Sequence, residues 1–285
     1  MRLKNINIYY SIKMKPVFYD KESYVLIDLS SFIFHRYFAI KSWIKISGVD
    51  LPTNETEKKA FIMQKYRQGF IKHILNIQKK TRAPWEQIYL IKDCPRDTIW
   101  RRSKCAYYKM NREEKTNDDF DPMVFHVAFD EIIPTLYEKY KFKLLGYKEA
   151  EADDIIAIIK NKLRAEIADS KIFIISNDND FIQLYDDKTF ILSNSMKPLK
   201  DKFSEEVLSV FLRWKIIKGD ISDNIPPIES RLGDKMALKL ALNAELLQAR
   251  LSKNVDTHNQ FELNSILIDF AHIPIAIKEG VLKSI

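Results

Sequence analysis

The sequence predicts an α/β fold: a mostly parallel central sheet flanked by helices, followed by a helical C-terminal region. Three observations predict it. Short apolar runs alternate with amphipathic segments of helical period through the first two hundred residues. Three of these runs end in carboxylates, and the pattern after Phe203 is helical. We therefore expect an N-terminal arm at 1–20, an α/β core at 21–200 and a helical region at 201–285.

The first half of the core reads as strand, helix, strand and helix. YVLIDLSSFIF is an apolar run that meets Asp28, as expected for a buried strand, and WEQIYLIKDCP predicts a second strand ending at Asp93. Between them, Lys58–Lys80 carries apolar residues at helical spacing and predicts an amphipathic helix. Met123–Tyr140 predicts another helix, which Pro134 bends or divides.

The second half continues the alternation. FKLLGY predicts a short strand, and YKEAEADDIIAIIK begins a helix that runs to about Ile167. Lys171–Ser176 is a clear strand followed by Asp178 and Asp180, and KTFILSN is a further candidate strand. The alternation favours parallel pairing, because parallel strands need crossover helices between them.

Composition excludes several kinds of site. Two cysteines form neither a disulfide framework nor a zinc pattern, and the five histidines show no H-x-x-x-H spacing. No apolar run approaches 18 residues, so we expect no membrane partner. The lack of a disulfide framework leads us to expect a cytoplasmic location. The chemistry is therefore expected to rest on carboxylates.

Acidic residues gather where the predicted strands end. The carboxyl ends of parallel strands share one edge of a sheet, where binding sites form. Turn and helix-cap chemistry explains any one of these acids equally simply, but a set of unpartnered acids would repel one another. Oxygen ligands suit Mg²⁺ or Mn²⁺ rather than zinc. The nine candidates are Asp28, Asp93, Glu151, Asp153, Asp154, Asp178, Asp180, Asp220 and Asp223.

The charge balance fits an acidic site in a basic body. The net charge is +7, and setting the nine candidates aside leaves 30 of the 39 acids against 46 Lys and Arg, a surplus of 16. A basic surface favours nucleic-acid partners. Two ions held by carboxylates can cleave a phosphodiester, so the pattern predicts a metal-dependent nuclease.

The segment RDTIWRRSKCAYYKMNR combines cations with aromatic residues. If it is helical, Arg101, Cys105, Tyr108 and Arg112 form one stripe, with Arg102 and Lys109 beside it. Such a surface can hold phosphates and stack on a base, but it can equally be a solvated basic helix with core-facing aromatics.

Five motifs, taken in order, carry a resemblance to a known family: LIDLSSFIFHRYFA, WRRSKCAYYKMNR, EADDIIA, SNDNDFIQL and KGDISDNIP. Across about 24–277 the chain resembles the structure-specific 5′-nucleases, which include flap endonucleases and the 5′-nuclease domains of bacterial polymerases. Within that family it is similar to the ribonuclease H of T-even bacteriophages.

The resemblance implies a PIN-like nuclease core with a helical arch near 96–121 and a helix–three-turn–helix that holds duplex DNA. It implies a monomeric 5′ to 3′ exonuclease and flap endonuclease that uses two Mg²⁺ ions, with Mn²⁺ able to substitute. The implied substrates are branched or nicked duplex DNA and RNA–DNA hybrid with a 5′ end. The implied role is removal of RNA primers on the lagging strand, with single-strand DNA-binding protein and sliding clamp as candidate partners.

The resemblance also assigns roles to individual residues. The nine acids become metal ligands, some through water, with Asp223 matching the second acid of the last motif. Arg101 and Lys109 would contact the reacting phosphate. The implied nucleic-acid contacts are Arg102, Tyr108, Arg112 and Asn224.

One departure and two alternatives remain open. After DNIP most relatives continue with glycine-rich turns, whereas this chain has PIESRLGDKMALKL with only Gly233, so the grip on duplex DNA is left open. A PIN-type ribonuclease would explain Asp28 and the later acids but not GDISDNIP. A non-catalytic DNA-binding relative would have lost core acids, and none of those expected is replaced.

Overall fold

The computed structural model describes residues 20–112, 120–198 and 204–285, so the predicted N-terminal arm lies outside it except for Asp20. At its centre is a five-stranded sheet in the order β3-β2-β1-β4-β5, and every pairing is parallel. The predicted α/β fold with a parallel sheet is confirmed. The strands are β1 (Ser23–Asp28), β2 (Ile88–Ile91), β3 (Lys143–Leu145), β4 (Lys171–Ile175) and β5 (Thr189–Leu192).

The strand order reverses beside β1. The chain adds β2 and β3 on one side of β1, then returns to add β4 and β5 on the other. Leu26 is therefore level with Tyr89 on one neighbour and with Ile174 on the other. Such a reversal opens a crevice at the carboxyl ends of the strands, where ligands bind in sheets of this kind.

The sheet is buried on both faces because β1 alternates its side chains between two apolar clusters. Val25 and Ile27 pack with α1 (Leu29–Ser47) and α2 (Glu55–Thr81) on one face. Leu26 packs with α6 (Ala152–Glu166) on the other.

Local capping sets the bounds of the first two helices. Asp28 is the N-cap of α1, and α1 ends at Gly48, whose φ of 63° is left-handed and suits a residue without a Cβ. Asn54 caps α2 by accepting hydrogen bonds from the backbone N–H groups of Thr56 and Glu57. The predicted amphipathic helix is thus present, a few residues longer at its start than the apolar pattern indicates.

The helix predicted over Met123–Tyr140 is present but not uniform. It comprises α4 (Met123–His126), a π-helical segment at Val127–Ile132 and α5 (Ile133–Tyr140). Pro134 lacks an N–H, and its ring conflicts with the carbonyl four residues earlier, so the helix widens just before it. The expectation that this proline disturbs the helix is therefore confirmed.

The basic stretch does not form the continuous helix on which the predicted stripe depended. Its only α-helix among the described residues is α3 (Trp100–Lys104), which ends where Cys105 turns extended. A short 3₁₀ turn follows at Met110–Arg112, directly after Lys109, whose φ is 57°. Residues 113–119 lie outside the described ranges, so an arch over 96–121 stays a prediction.

The C-terminal region is helical, as expected, and part of it returns to the sheet. Ile277 and Val281 join the cluster that covers the α6 face. A separate apolar cluster unites α7, α8 and α9. The helices are α7 (Glu205–Lys218), α8 (Asp234–Leu242), α9 (Ala244–Leu251), α10 (Val255–Ile268) and α11 (Ile275–Lys283).

Across the described residues, every helix is too short or too polar to span a lipid bilayer.

Candidate active site

Three strand ends meet at the reversal beside β1. Asp28 is the last residue of β1, Asp93 follows β2, and Asp178 follows β4. Ile27 lies beside Leu90 and Ile175, so the two neighbouring strands deliver their acids to the same edge as Asp28. The parallel register alone is enough to crowd these three carboxylates.

Asp28 is held by hydrogen bonds to both carboxylate oxygens, and its pKa is raised. One carboxylate oxygen accepts a hydrogen bond from the backbone N–H of Ser31 at 3.1 Å, and the other accepts one from Ser176 Oγ at 3.0 Å. Burial, and next the charge of Asp93, raise the pKa of Asp28 to about 7. Burial also raises the pKa of Asp178.

The first turn of α6 is anchored at this edge. Asp93 accepts a hydrogen bond from the backbone N–H of Ala152 at 2.8 Å. This contact brings Glu151, Asp153 and Asp154 to the strand ends, and one oxygen from each lies within 4.8 Å of the others. The three acids predicted from the EADD motif therefore form a compact group.

Asp153 differs from its neighbours because it has no ion pair within the described ranges. One of its oxygens accepts the backbone N–H of Asp154 at 2.7 Å. Burial raises the pKa of Asp153 well above its usual value, opposed by Arg101 and reinforced by Asp154. A nearby cation would therefore stabilise the ionised form of Asp153.

Asp154 is committed to the protein instead. Its two oxygens accept hydrogen bonds from Arg101 Nη1 at 3.0 Å and Nη2 at 2.8 Å, and one also accepts from Trp100 Nε1 at 2.9 Å. The side chain is fully buried. These donors occupy part of the lone-pair capacity of Asp154, which nevertheless belongs to the acid group that could hold an ion. Its role as a metal ligand stays a prediction.

Arg101 is likewise inside the protein rather than facing a substrate. It is 1% exposed, and it also donates from Nη1 to Glu151 at 3.0 Å and from Nε to the backbone oxygen of Leu267 at 2.8 Å. In this arrangement the guanidinium binds protein groups, and the expected contact between Arg101 and a reacting phosphate stays a prediction. Its role here is to hold α6 against α10, a link that spans 166 residues of sequence.

Tyr108 and Lys109 converge on Glu151. The Tyr108 hydroxyl donates to Glu151 Oε2 at 3.0 Å, and Lys109 Nζ lies 2.5 Å from Oε1. Lys109 Nζ is also 3.5 Å from an oxygen of Asp223, and these two acids raise the pKa of Lys109 against the effect of burial. Tyr108 is only 1% exposed, which agrees with the alternative of a core-facing aromatic residue. Its predicted contact with nucleic acid stays a prediction.

The remaining predicted nucleic-acid contacts lie toward the surface. Arg112 is exposed and binds Asp223 and the backbone oxygen of Ser222. Asn224 donates to the backbone oxygen of Tyr107 at 2.8 Å, so it ties the last motif to the basic stretch. Arg102 is half-buried on α3.

Lys215 is a site residue that the sequence patterns did not single out. It lies on α7, and its Nζ contacts Asp180 and lies 3.0 Å from Asp220. A lysine inside the apolar pattern of WKIIKGD, five residues before a predicted ligand, was the available signal. It was missed because Asp180 is distant in sequence.

The nine acids therefore divide into two groups. The paired acids have a cationic side chain as a partner, whereas the open acids have none in the part of the chain that the structure describes. The paired acids are Glu151, Asp154, Asp180, Asp220 and Asp223. The open acids are Asp28, Asp93, Asp153 and Asp178.

The open acids fit a hard divalent cation. Their donors are all carboxylate oxygens, and three of the four, Asp28, Asp153 and Asp178, have pKa values raised mainly by burial. A divalent cation would offset the cost of ionising these buried carboxyl groups, and hard divalent cations prefer oxygen ligands over other donors.

Comparison with known proteins identifies the family to which the chain belongs. The family model described as "5′-3′ exonuclease, N-terminal resolvase-like domain" matches residues 23–210. The ribonuclease H of Enterobacteria phage T4 is 25% identical over 240 residues, which cover 77% of this chain and 78% of the relative. A 5′-3′ exonuclease of Mycoplasmopsis pulmonis is 29% identical over 234 residues, covering 80% of this chain and 68% of the relative.

The fold is also similar to that of a solved structure. A flap endonuclease of bacteriophage T5, in a pseudo-enzyme–product complex with DNA and metal ions, superposes with a TM-score of 0.62 at 18% identity. The match covers 92% of this chain and 97% of the T5 chain. At that identity the likeness shows a shared fold.

Proposed function

Because the chain belongs to the 5′-3′ exonuclease family and is a metal-dependent 5′-nuclease, we propose that it removes RNA primers from lagging-strand fragments. It would act 5′ to 3′ on RNA–DNA and DNA duplexes and would also cut 5′ flaps. The open acids are the observation that carries the proposal, because four carboxylates without cationic partners at a strand-order reversal form a ready metal site.

The metals are proposed to be two Mg²⁺ ions, with Mn²⁺ able to substitute. Asp28, Asp93, Asp153 and Asp178 would supply the main ligands, and Asp180 and Asp220 would contribute on the α7 side. When bound, such ions can activate the attacking water and stabilise the leaving oxygen of a phosphodiester.

The cations around the site are proposed to divide the remaining work. Arg112 reaches the surface and Lys109, which is 13% exposed, lies between it and Glu151. Both would meet the phosphate at the 5′ end. Arg101 would act from inside by fixing Glu151 and Asp154, and therefore the direction in which Asp153 points. This assignment changes Arg101 from a catalytic to a positioning residue.

The duplex is proposed to bind along the C-terminal region. The loop from Asp220 to Asn224 and helix α8 would form a helix–three-turn–helix element. Between them the chain has PIESRLG, with Gly233 as its one glycine, where most relatives have glycine-rich turns. The substrates would be branched or nicked duplexes and hybrids with a 5′ end. A monomer working beside single-strand DNA-binding protein and a sliding clamp fits this role.

A digestion with two substrates tests the proposal. A 5′-labelled RNA primer on DNA and a 5′-flap duplex are incubated with Mg²⁺, with Mn²⁺ and with EDTA, and product lengths are read on a sequencing gel. We expect short products from the hybrid, cleavage near the junction of the flap, and none in EDTA. Duplex binding without cleavage in either metal would favour a non-catalytic DNA-binding relative.

A further inference from the structure

The side chain of Lys215 lies between two acids that the proposed function gives to the metals. The ammonium contacts Asp180, which follows β4, and Asp220, which follows α7. All three side chains are largely enclosed, with 11% of Lys215, 14% of Asp180 and 18% of Asp220 exposed. The ion pair is therefore weakly screened by solvent.

We propose that Lys215 is a built-in counterion that competes with a divalent metal for Asp180 and Asp220. The inference rests on the proposed function and adds an order of loading to it. The open acids take an ion without displacing any side chain, whereas the α7 side takes one only when the Lys215 ammonium moves away. The two sides of the site therefore bind metal with unequal affinity.

Charge and geometry both support the competition. A lysine ammonium and a divalent cation are attracted to the same carboxylate oxygens, and both cannot lie within 3 Å of them. Asp220 is held in this orientation by Ser222, whose backbone N–H and hydroxyl both donate to its other oxygen. The carboxylate that Lys215 contacts is thus already aimed at the position where an ion would lie.

The rest of the helix supplies a matched control. Lys218 lies three residues further along α7 and makes an ion pair with Asp234 at 2.8 Å, which is more exposed and lies outside the site. Lys215→Met removes the competing charge and keeps the apolar stem, Lys215→Arg keeps the charge, and Lys218→Met removes one charge from the same helix elsewhere. Lys215→Met combined with Asp220→Asn removes both the competitor and the ligand.

Mn²⁺ binding without nucleic acid is the readout, followed by electron paramagnetic resonance and by calorimetry. The wild type should bind one ion more tightly than the second. Lys215→Met should strengthen the weaker site about 10- to 100-fold, the range expected when a neighbouring charge within a few ångströms is removed. Lys215→Arg and Lys218→Met should leave it unchanged, and the double variant should lose the gain. Circular dichroism checks that each variant is folded.

The outcomes separate the inference from the proposed function. If the wild type binds two ions and Lys215→Met binds the weaker one no more tightly, Lys215 is not a competitor and the inference fails alone. An equal gain in Lys218→Met would assign the effect to overall charge and also overturn it. If the folded wild type binds no Mn²⁺, the proposed metal chemistry fails, and the inference fails with it.

Discussion

The open acids and the paired acids lie at one edge of one sheet, but among the described residues the paired acids have cationic partners and the open acids have none. The open acids come from strand ends and the first turn of α6. Burial raises the pKa values of three of them, Asp28, Asp153 and Asp178. Burial is opposed at the paired acids by cations from α3, α7 and the basic stretch. The cationic partners therefore separate two kinds of acid within one set of motifs, and we propose that metal binding is harder at the paired acids than at the open acids.

The sharpest contrast is between adjacent residues, Asp153 and Asp154. Asp153→Asn should abolish Mg²⁺-dependent cleavage, by about a thousandfold or more, because a charged ligand is lost where nothing replaces it. Duplex binding should be largely kept, since phosphate contacts elsewhere carry it. Initial rates on the flap substrate and a binding titration measure the two effects. Asp178→Asn, at the end of β4, should behave in the same way.

Full activity in either variant would remove the basis for calling these acids ligands. A useful companion is Glu149→Gln, because Glu149 precedes the motif and we expect it to be solvated. That variant should retain wild-type rates.

Asp154 should report on stability instead. Asp154→Ala leaves the buried guanidinium of Arg101 without its main partner, and breaking such a pair costs about 3–5 kcal/mol in the free energy of unfolding. Urea denaturation followed by circular dichroism measures it. If Asp154→Ala is as stable as the wild type and loses only activity, the distinction between open and paired acids fails, since Asp154 would then behave as an open acid.

The exposed pair between Arg67 and Glu131 provides the control for that experiment. It has similar two-point geometry, at 2.8 and 2.9 Å, but lies at the surface. Glu131→Ala should therefore cost less than about 1 kcal/mol.

The open acids should also make the metal-free protein sensitive to pH. Asp28 has a pKa of about 7 in the folded protein and an ordinary value of 3.8, so between these the folded state retains a proton that the unfolded state has lost. The contribution of Asp28 to stability should then fall as pH rises from about 4 to 7, by on the order of a few kcal/mol. Urea denaturation in EDTA across this range measures it, and Asp28→Asn should flatten the curve.

Mg²⁺ sharpens this test, because an ion held by the open acids favours their ionised form. The stabilisation that Mg²⁺ gives should grow with pH over the same window. A pH profile that is identical in the wild type and Asp28→Asn would show that Asp28 is not strained in the folded protein.

The smallest effect is expected at the exposed end of the paired group. Arg112 is 43% exposed, so Arg112→Ala should change stability by less than about 1 kcal/mol. If Arg112 meets a phosphate, duplex binding should weaken for every sequence, and its dependence on salt should fall by about one unit of slope. Arg67→Ala, which removes a cation far from the basic stretch in sequence, should leave the salt slope unchanged.

The sheet and its acids could be predicted because their cause is local. Apolar runs such as Tyr24–Ile27 determine strands, crossovers make them parallel, and parallel strands share an edge. The start of α6 could be predicted because acidic residues directly precede its run of isoleucines. None of this requires knowledge of distant contacts.

The pairing of the acids could not be predicted because its cause is not local. Arg101 lies 53 residues from Asp154, and nothing in the basic stretch distinguishes a buried arginine from a solvated one. The break at Cys105 likewise depends on burying Tyr108 beneath the C-terminal helices, which overrides the helical spacing of the cations.

The hydrogen bond from Arg101 to Leu267 has a consequence for the order in which the site is made. A ribosome adding 5–20 residues per second reaches Leu267 roughly 8–33 seconds after Arg101. Until then the arginine lacks an acceptor that it has in the finished protein, so we expect nascent chains that stop before α10 to hold the EADD turn loosely. Arrested chains of increasing length, probed by proteolysis near Arg101, would reveal protection only once α10 has emerged. A nuclease assembled in this order completes the support of its acidic site only after α10 has been made.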